Sequence, residues 1–206
     1  MTTRVFLLRH GESAAPHVFH GAESDIGLSE RGRRQAAAVA PILAREKPNL
    51  IISSGMLRAI DTARPIAQAC GLEILIEPDL HERRVGALSG MPFGPNEGVW
   101  PDTLRRWIAG ETSYASEGSE SFDDVRSRIG PVWERLTSVH AGQTVVIVAH
   151  GVVCKVLLLS VVPGWSAADW QKLGSVHNTA LTELVQDREG WQILRLNQMP
   201  EGSAEL

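Results

Sequence analysis

The amino-acid sequence predicts an α/β fold, a three-layer α/β/α sandwich around a mostly parallel central sheet. Short apolar runs rich in branched residues recur along the chain and end in polar or glycine-containing sequence, as buried strands do. These runs occupy residues 5–8, 50–52, 72–76 and 145–148. Helical patterns lie between them, and strands that alternate with helices form parallel sheets covered by helices on both faces.

The helical patterns cover residues 29–46, 56–69 and 121–139. The first opens at Ser29 and is rich in alanine, and the third opens at Ser121 with two aspartates in its first turn. A serine at this position caps a helix, and acidic side chains favour its N-terminus. Pro65 and Pro131 lie inside two of the patterns, so we expect each of these helices to kink or to begin afresh there.

The remaining segments complete a single domain over residues 1–206. Residues 91–118 are rich in Gly, Pro and Trp, and we expect an insertion with one short helix near residues 104–108, placed as a lid over the active-site side of the sheet. Residues 179–196 alternate apolar and polar side chains, which predicts a hairpin at the sheet edge.

Composition restricts the partners. A net charge of -4 gives no global field for nucleic acid or an anionic membrane, so we expect a small-molecule partner and a monomer or homodimer. The longest apolar stretch, residues 152–162, contains Lys155 and is shorter than the roughly 20 residues of a membrane span. Cys70 and Cys154 lie in apolar stretches, as reduced cysteines of cytoplasmic proteins usually do.

The first candidate for chemistry is Arg9-His10-Gly11, directly after the first strand. Ligands of open α/β sheets bind at this end of the strands. A neutral histidine can attack phosphorus, and the neighbouring Arg9 disfavours the imidazolium. Gly11 would let the backbone approach an anion closely. The alternative is that this short motif is a strand end without function.

The second candidate is Arg58, in residues 53–63, where the second strand turns into a helix. In the first turn of that helix its side chain would lie close to backbone amides that also favour anions. The alternative is a solvated helix arginine that pairs with Asp61.

Two further strand ends carry similar groups. Glu82 follows the third strand and could donate a proton to a leaving alkoxide if burial or the substrate's charge keeps it protonated; the alternative is a salt bridge with Arg83 or Arg84. His150-Gly151 ends the fourth strand. A protonated His150 would bond a phosphoryl oxygen, whereas a histidine satisfied by backbone is the alternative. Four such groups at one sheet edge together indicate phosphoryl transfer.

The sequence resembles the histidine phosphatase superfamily, which includes cofactor-dependent phosphoglycerate mutases and many small phosphatases. The resemblance covers nearly the whole chain and rests on residues 9–13, Asp25, Leu28, Gly32, Gln35, residues 53–63, Glu82, Gly86, Gly90, Glu120, Ser121, His150 and Gly151. It implies a phosphoglycerate mutase-like fold. One departure follows Ser13: the family often has Trp-Asn there, whereas this chain has Ala14-Ala15. In the family that Asn contacts the bound phosphate group. His17 or His20 would replace its contact here, or both are loop histidines without such a role.

The resemblance also implies roles. His10 would form the phosphohistidine, Arg9, Arg58 and His150 would surround the phosphoryl group, and Glu82 would be the acid and base. The full set of candidate phosphate and substrate ligands is Arg9, Gly11, Ser13, Arg58, Arg83, His150 and Gly151. The family's chemistry uses no metal ion, and the other five histidines are scattered in the sequence, so we expect neither a metal nor a cofactor.

The predicted function is therefore metal-independent hydrolysis of a small phosphorylated metabolite. The main alternative is a cofactor-dependent phosphoglycerate mutase. The chain lacks the Thr-Gly-Trp element of the mutases, but Arg83, Arg105 and Arg106 could serve a carboxylate-bearing or doubly phosphorylated substrate. A rival from another class is a non-catalytic phospholigand-binding protein, which would be expected to have lost one of the five catalytic groups; all five are present.

Overall fold

A computed structural model describes residues 2–93 and 98–200. In this part of the chain six strands form one sheet in the order β3-β2-β4-β1-β5-β6. The strands are β1 Thr3–Arg9, β2 Leu50–Ser54, β3 Ile74–Glu77, β4 Thr144–Ala149, β5 Leu181–Asp187 and β6 Gly190–Gln198. Strands β1 to β4 pair in parallel, whereas β5 pairs antiparallel with both β1 and β6. The α/β prediction is confirmed.

Helices cover both faces of the sheet. They are α1 Glu30–Arg45, α2 Leu57–Cys70, α3 Val99–Ile108, α4 Phe122–Val139 and α5 Gly151–Val161. Alternate residues of β1 point to opposite faces: Phe6 and Leu8 pack with α1 and α2, while Val5 and Leu7 pack with α4 and α5. The three layers therefore follow from strands that are apolar on both sides.

The helix boundaries follow the capping signals. The Ser29 hydroxyl accepts a hydrogen bond from the Gly32 amide at 2.9 Å, and Ser121 forms a capping box with Asp124. Helices α2 and α4 continue through Pro65 and Pro131, so the fresh start considered at each proline does not occur. Buried residues on both sides of each proline hold the two halves of the helix against the sheet.

Several elements differ in extent from the sequence expectation, among them β3, the C-terminal hairpin and α3. Strand β3 begins two residues later than predicted, and the C-terminal hairpin ends at Gln198. Helix α3 begins at Val99 rather than near residue 104. Trp100 in its first turn packs against Trp107 and Trp170, so aromatic contacts, one of them with a distant segment, support a helix start that carries no strong local signal. Part of the predicted insertion, residues 94–97, lies outside the described residues.

The sheet topology brings the candidate residues together. Arg9 at the end of β1 pairs with Ala149 at the end of β4, and Ser53 near the end of β2 pairs with Val148. These three strands are neighbours and run in the same direction. The residues that follow β1, β2 and β4 therefore meet at one edge of the sheet.

Candidate active site

His10 lies immediately after β1 and is only 5% exposed. Its Nδ1 atom is 2.6 Å from the Gly11 carbonyl oxygen. A carbonyl can only accept, so Nδ1 carries the proton and Nε2 keeps a lone pair. Burial, with the charges of Arg9 and Arg58, holds the pKa of His10 well below its usual range. The imidazole is therefore neutral, with its free nitrogen available.

Arg58 supplies the group that faces this lone pair. Its Nε atom donates to His10 Nε2 at 3.2 Å, and Nη1 donates to the Ser24 carbonyl at 2.8 Å. The side chain is fully buried in the first turn of α2, and burial lowers its pKa. Asp61 pairs with Arg64 instead, so the alternative of a solvated Arg58–Asp61 pair is wrong.

Arg9 adds a second guanidinium whose charge acts on His10. Its Nη1 atom donates to the Val176 carbonyl at 2.8 Å. Its Nε atom is buried and has no hydrogen-bond partner among the described residues. Burial lowers the Arg9 pKa. A buried donor without a partner costs free energy, which a bound anion would recover.

His150 lies at the end of β4, with its ring centroid 5.1 Å from that of His10. Its Nε2 atom is 2.8 Å from the Ser54 hydroxyl, which also accepts a hydrogen bond from the Met56 amide at 3.3 Å. Because the described residues offer the hydroxyl proton no other acceptor, we assign it to Nε2, and the His150 proton then lies on Nδ1. Nδ1 is buried without a partner among the described residues.

The charge state of His150 differs from the protonated form considered from the sequence. Burial is the largest cause that lowers its pKa well below the usual range, followed by the nearby Arg58 and His10. A neutral His150 with its proton on Nδ1 can still donate one hydrogen bond to a phosphoryl oxygen.

Glu82 is 8% exposed and faces the N-terminus of α5. Its Oε1 atom accepts from the Arg83 amide at 2.8 Å, and Oε2 accepts from the Val152 amide at 3.2 Å. Arg84 uses its own amide to contact Glu120. The hydrogen bonds that the structure gives Glu82 are thus to backbone amides rather than to the side chains of Arg83 or Arg84.

Arg83 is the second charged residue of this loop and is also buried. Its Nε donates to the Glu120 carbonyl at 2.7 Å, and Nη2 donates to the Ser119 hydroxyl at 2.9 Å. The guanidinium carbon lies 5.2 Å from the ring centroids of both Trp100 and Trp107. Burial lowers the Arg83 pKa to about 10.

These groups open onto a cavity of about 760 Å³. The predicted site residues that line it are Arg9, His10, Ser13, Glu82, Arg83 and Gly151. Arg58 and His150 are fully buried behind that surface. The wall opposite α5 includes Phe19 and Phe93, whose rings pack edge to face at 4.7 Å.

Gly11 has a different role from the one expected. Its amide donates to the Thr62 hydroxyl at 2.9 Å and is therefore engaged within the protein. A Cβ atom on Gly11 would lie 2.6 Å from the Gly32 carbonyl oxygen, and one on Gly32 would lie 2.1 Å from the Glu12 carbonyl oxygen. Glycine is thus required by the contact with α1 rather than by close approach of an anion.

The loop that replaces the family's Trp-Asn contributes two histidines to the cavity lining. His20 Nε2 lies 2.7 Å from the Ala15 carbonyl, and Nδ1 lies 2.9 Å from the Ser24 hydroxyl. Both ring nitrogens of His20 are therefore engaged in hydrogen bonds within this loop. His17 is exposed at the cavity mouth.

Arg105 and Arg106 do not line the cavity. Both pair with Asp102 on α3, at 3.3 and 3.2 Å, and Arg106 also pairs with Glu111 at 2.9 Å. The possibility that Arg105 and Arg106 serve an acidic substrate finds no support in this geometry, because both side chains are engaged by carboxylates on and just after α3.

Several residues of the site were not singled out from the sequence. Asn178 Nδ2 donates to the His10 carbonyl at 2.7 Å, and Lys155 and Trp170 line the cavity. Asn178 carries no sequence signal. Lys155 could have been found, because it lies four residues after Gly151 and so on the same face of α5.

Within residues 2–93 and 98–200, no group of three or more His, Cys, Asp or Glu side chains is arranged to hold a metal ion. In the same part of the chain, no helix is both long and apolar enough to cross a membrane.

Comparison with known proteins places these features in a family. Residues 5–199 match the histidine phosphatase superfamily (branch 1). A metal-independent phosphoserine phosphatase of Arabidopsis thaliana is 35% identical over 171 residues, which cover 80% of this chain and 71% of that protein. The native structure of mycobacterial glucosyl-3-phosphoglycerate phosphatase has a TM-score of 0.80 at 30% identity and covers 96% of this chain and 100% of that chain.

A longer relative is also similar. A protein of Mycobacterium tuberculosis described as bifunctional is 37% identical over 158 residues, or 76% of this chain. The matched part spans only 43% of that relative's length. Since the family match nonetheless extends over residues 5–199, the chain belongs to branch 1 of the histidine phosphatase superfamily.

Proposed function

We propose that this protein is a metal-independent phosphomonoester hydrolase that acts through a phosphohistidine on His10. The observation that carries the proposal is the Nδ1 hydrogen bond to the Gly11 carbonyl, which leaves the Nε2 lone pair facing the Arg58 guanidinium. A neutral nucleophile beside a buried cation suits attack on an anionic phosphoryl group. Relatives named as phosphatases support hydrolysis as the outcome.

In the first step, His10 Nε2 attacks phosphorus in line with the ester oxygen, so that a P–N bond forms as the P–O bond breaks. The Arg58 Nε–H group, which donates to His10 Nε2 in the free protein, then donates to a phosphoryl oxygen instead. The buried donors Arg9 Nε and His150 Nδ1, which lack protein partners in the described structure, bind the other two oxygens. Each close charge pair gains about 4 kcal/mol at an effective dielectric constant of about 20, before desolvation is subtracted.

Glu82 handles the protons in this scheme. As a carboxylic acid it protonates the leaving oxygen, and as a carboxylate it then takes a proton from the water that attacks phosphohistidine. The second step breaks the P–N bond, releases inorganic phosphate and restores neutral His10. The amide contacts to Arg83 and Val152 hold the carboxyl group in place while it performs both steps.

Phosphate release from a panel of phosphomonoesters tests the proposal. The protein is treated with chelator, His10→Ala is the control, and interconversion of 3-phosphoglycerate and 2-phosphoglycerate is followed in parallel. We expect hydrolysis that survives chelation and disappears with His10→Ala. Interconversion without net release would instead establish a mutase, and no turnover of any compound would leave a phospholigand-binding protein.

We further propose that the protein acts on a small metabolite in the cytoplasm, as a monomer or homodimer, without nucleic acid or a membrane. The free thiols of Cys70 and Cys154 support a reducing compartment, and the net charge of -4 supports a partner other than nucleic acid. Light scattering of the purified protein tests the oligomeric state.

A further inference from the structure

Lys155 lines the same cavity as Glu82, the residue proposed to protonate the leaving group. Gly151 and Val152 begin α5, and the Val152 amide contacts the Glu82 carboxylate. Lys155 lies one helical turn further along, about 6 Å from Gly151 along the helix axis. A group bound to Lys155 would therefore lie beyond the oxygen that Glu82 protonates.

The ammonium group of Lys155 is held by Trp170. Lys155 Nζ donates to the Trp170 backbone carbonyl at 3.3 Å and lies 4.6 Å from the centroid of the Trp170 indole ring. An ammonium has three N–H donors, and these two contacts fix its position without using all of them. Trp170 packs on Trp100 at 6.1 Å between ring centroids, and Trp100 faces the Arg83 guanidinium. One continuous wall of the cavity is thus formed by Arg83, Trp100, Trp170 and Lys155.

The charges of the cavity are unbalanced. Three permanently or mostly protonated side chains line it, namely Arg9, Arg83 and Lys155, against the carboxylates Glu12 and Glu82. Glu12 is already paired with Arg31. Among the described residues, neither Arg83 nor Lys155 has a carboxylate within 4.0 Å. Arg83 is attracted by Glu82, Glu120 and Glu23 at longer range, whereas burial is the only influence that shifts the pKa of Lys155. A partly buried ammonium group without a counter-ion is costly unless a ligand supplies the charge.

We propose that Lys155, oriented by Trp170, is a specificity-determining residue that binds a second acidic group on the leaving-group half of the substrate. This inference rests on the proposed function. The acidic group is a carboxylate or a second phosphate, either of which would accept the remaining ammonium donors. Burial lowers the pKa of Lys155 to about 8, so the ammonium form still dominates at neutral pH and an anion would stabilise it further.

The test uses compound pairs that differ only in the acidic group. One pair is 3-phosphoglycerate and glycerol 3-phosphate, in which a carboxylate replaces a hydroxymethyl group. The other is propane-1,3-diol bisphosphate and the corresponding monophosphate. We expect Lys155→Met to lower kcat/KM by about 10- to 100-fold on the member with the second acidic group in at least one pair, and by less than about 3-fold on the member without it. The pair that responds identifies the acidic group as carboxylate or phosphate.

Two variants separate charge from packing. Lys155→Arg keeps the positive charge and should retain most of the discrimination between the members of a pair. Lys172→Met removes an exposed lysine that pairs with Asp169, close to Trp170 in sequence, and should change neither member. An equal loss of kcat/KM on compounds with and without the second acidic group, or no loss on either, would overturn the role of Lys155.

A binding measurement distinguishes failure of this inference from failure of the proposed function. Calorimetry with His10→Ala protein measures the affinity for the same four compounds, with and without Lys155→Met. If the wild-type protein hydrolyses no member of the phosphomonoester panel, these four included, but Lys155→Met still weakens only the ligands with the second acidic group, the subsite stands and the hydrolase proposal falls. If hydrolysis is observed and Lys155→Met affects all ligands alike, the hydrolase stands and the subsite is rejected.

Discussion

The carbonyl oxygen of Gly11 lies 2.6 Å from Nδ1 of His10, and this contact decides which ring nitrogen is free. The backbone therefore selects the tautomer of the proposed nucleophile, much as a carboxylate does in other histidine sites. Because the carbonyl belongs to the next residue, the selection is built into the turn after β1 and does not depend on a side chain.

The first prediction concerns the phosphorylated atom. Brief reaction with a phosphate donor should place the label on Nε2 of His10 and not on Nδ1, because Nδ1 carries the proton. The adduct should be acid-labile and alkali-stable, and NMR of quenched protein identifies its ring position. His10→Ala should take up no label, and a label on Nδ1 would contradict the tautomer assigned here.

Replacing the proposed acid gives a second prediction. Glu82→Gln should lower the rate of the first step by about 10²- to 10⁴-fold on alkyl phosphates, whose leaving group needs a proton. The loss should be much smaller on p-nitrophenyl phosphate, whose leaving group does not. Single-turnover kinetics on both compounds measures the ratio. A loss of equal size on both would mean that Glu82 only shapes the site.

Ser54 offers a third prediction, because its hydroxyl sets the tautomer of His150. Ser54→Ala should weaken binding of inorganic phosphate by about 5- to 20-fold, roughly the effect of one hydrogen bond to an anion, and should lower kcat/KM similarly. Ser53→Ala is the matched control, since Ser53 is equally buried but bonds the Ser54 carbonyl. Equal effects of the two substitutions would remove the proposed link to His150.

The fourth prediction is a pH dependence of stability. His10 and His150 are buried, and their folded-state pKa values lie well below the usual 6.5, so the unfolded chain binds more protons once the pH falls below about 6.5. The free energy of unfolding should therefore decrease from pH 7.5 to pH 5.5, approaching about 1.4 kcal/mol per pH unit for each histidine. Denaturant unfolding of the ligand-free protein measures it.

The control for that experiment is the double variant His10→Gln with His150→Gln. Its unfolding free energy should vary much less over the same interval. An unchanged slope in the double variant would assign the pH dependence to other groups.

The sheet could be predicted from the sequence because its central strands are buried on both faces, so that each appears as an unbroken apolar run. The meeting of the candidate site residues could be predicted for a related reason: parallel strands end at one edge, where Arg9 ends β1, His150 follows β4, and Glu82 lies in the loop after β3. Both inferences need only local sequence and one topological rule.

The remaining features depend on contacts between distant segments. The aromatic packing at the early start of α3 involves Trp100 and Trp170, which are far apart in sequence. Asn178 reaches the His10 carbonyl from the loop before β5. No local pattern encodes such positions.

The close approach of Gly11 to Gly32 has a mechanical consequence. No side chain separates Gly11 from Gly32, and the turn that carries His10 therefore packs directly on the backbone of α1. A small displacement of this helix would move the nucleophile with it. The geometry that the reaction requires therefore depends on the position of a helix that contributes no reacting group. Redesign of the first turn of α1 should be treated as redesign of the active site itself.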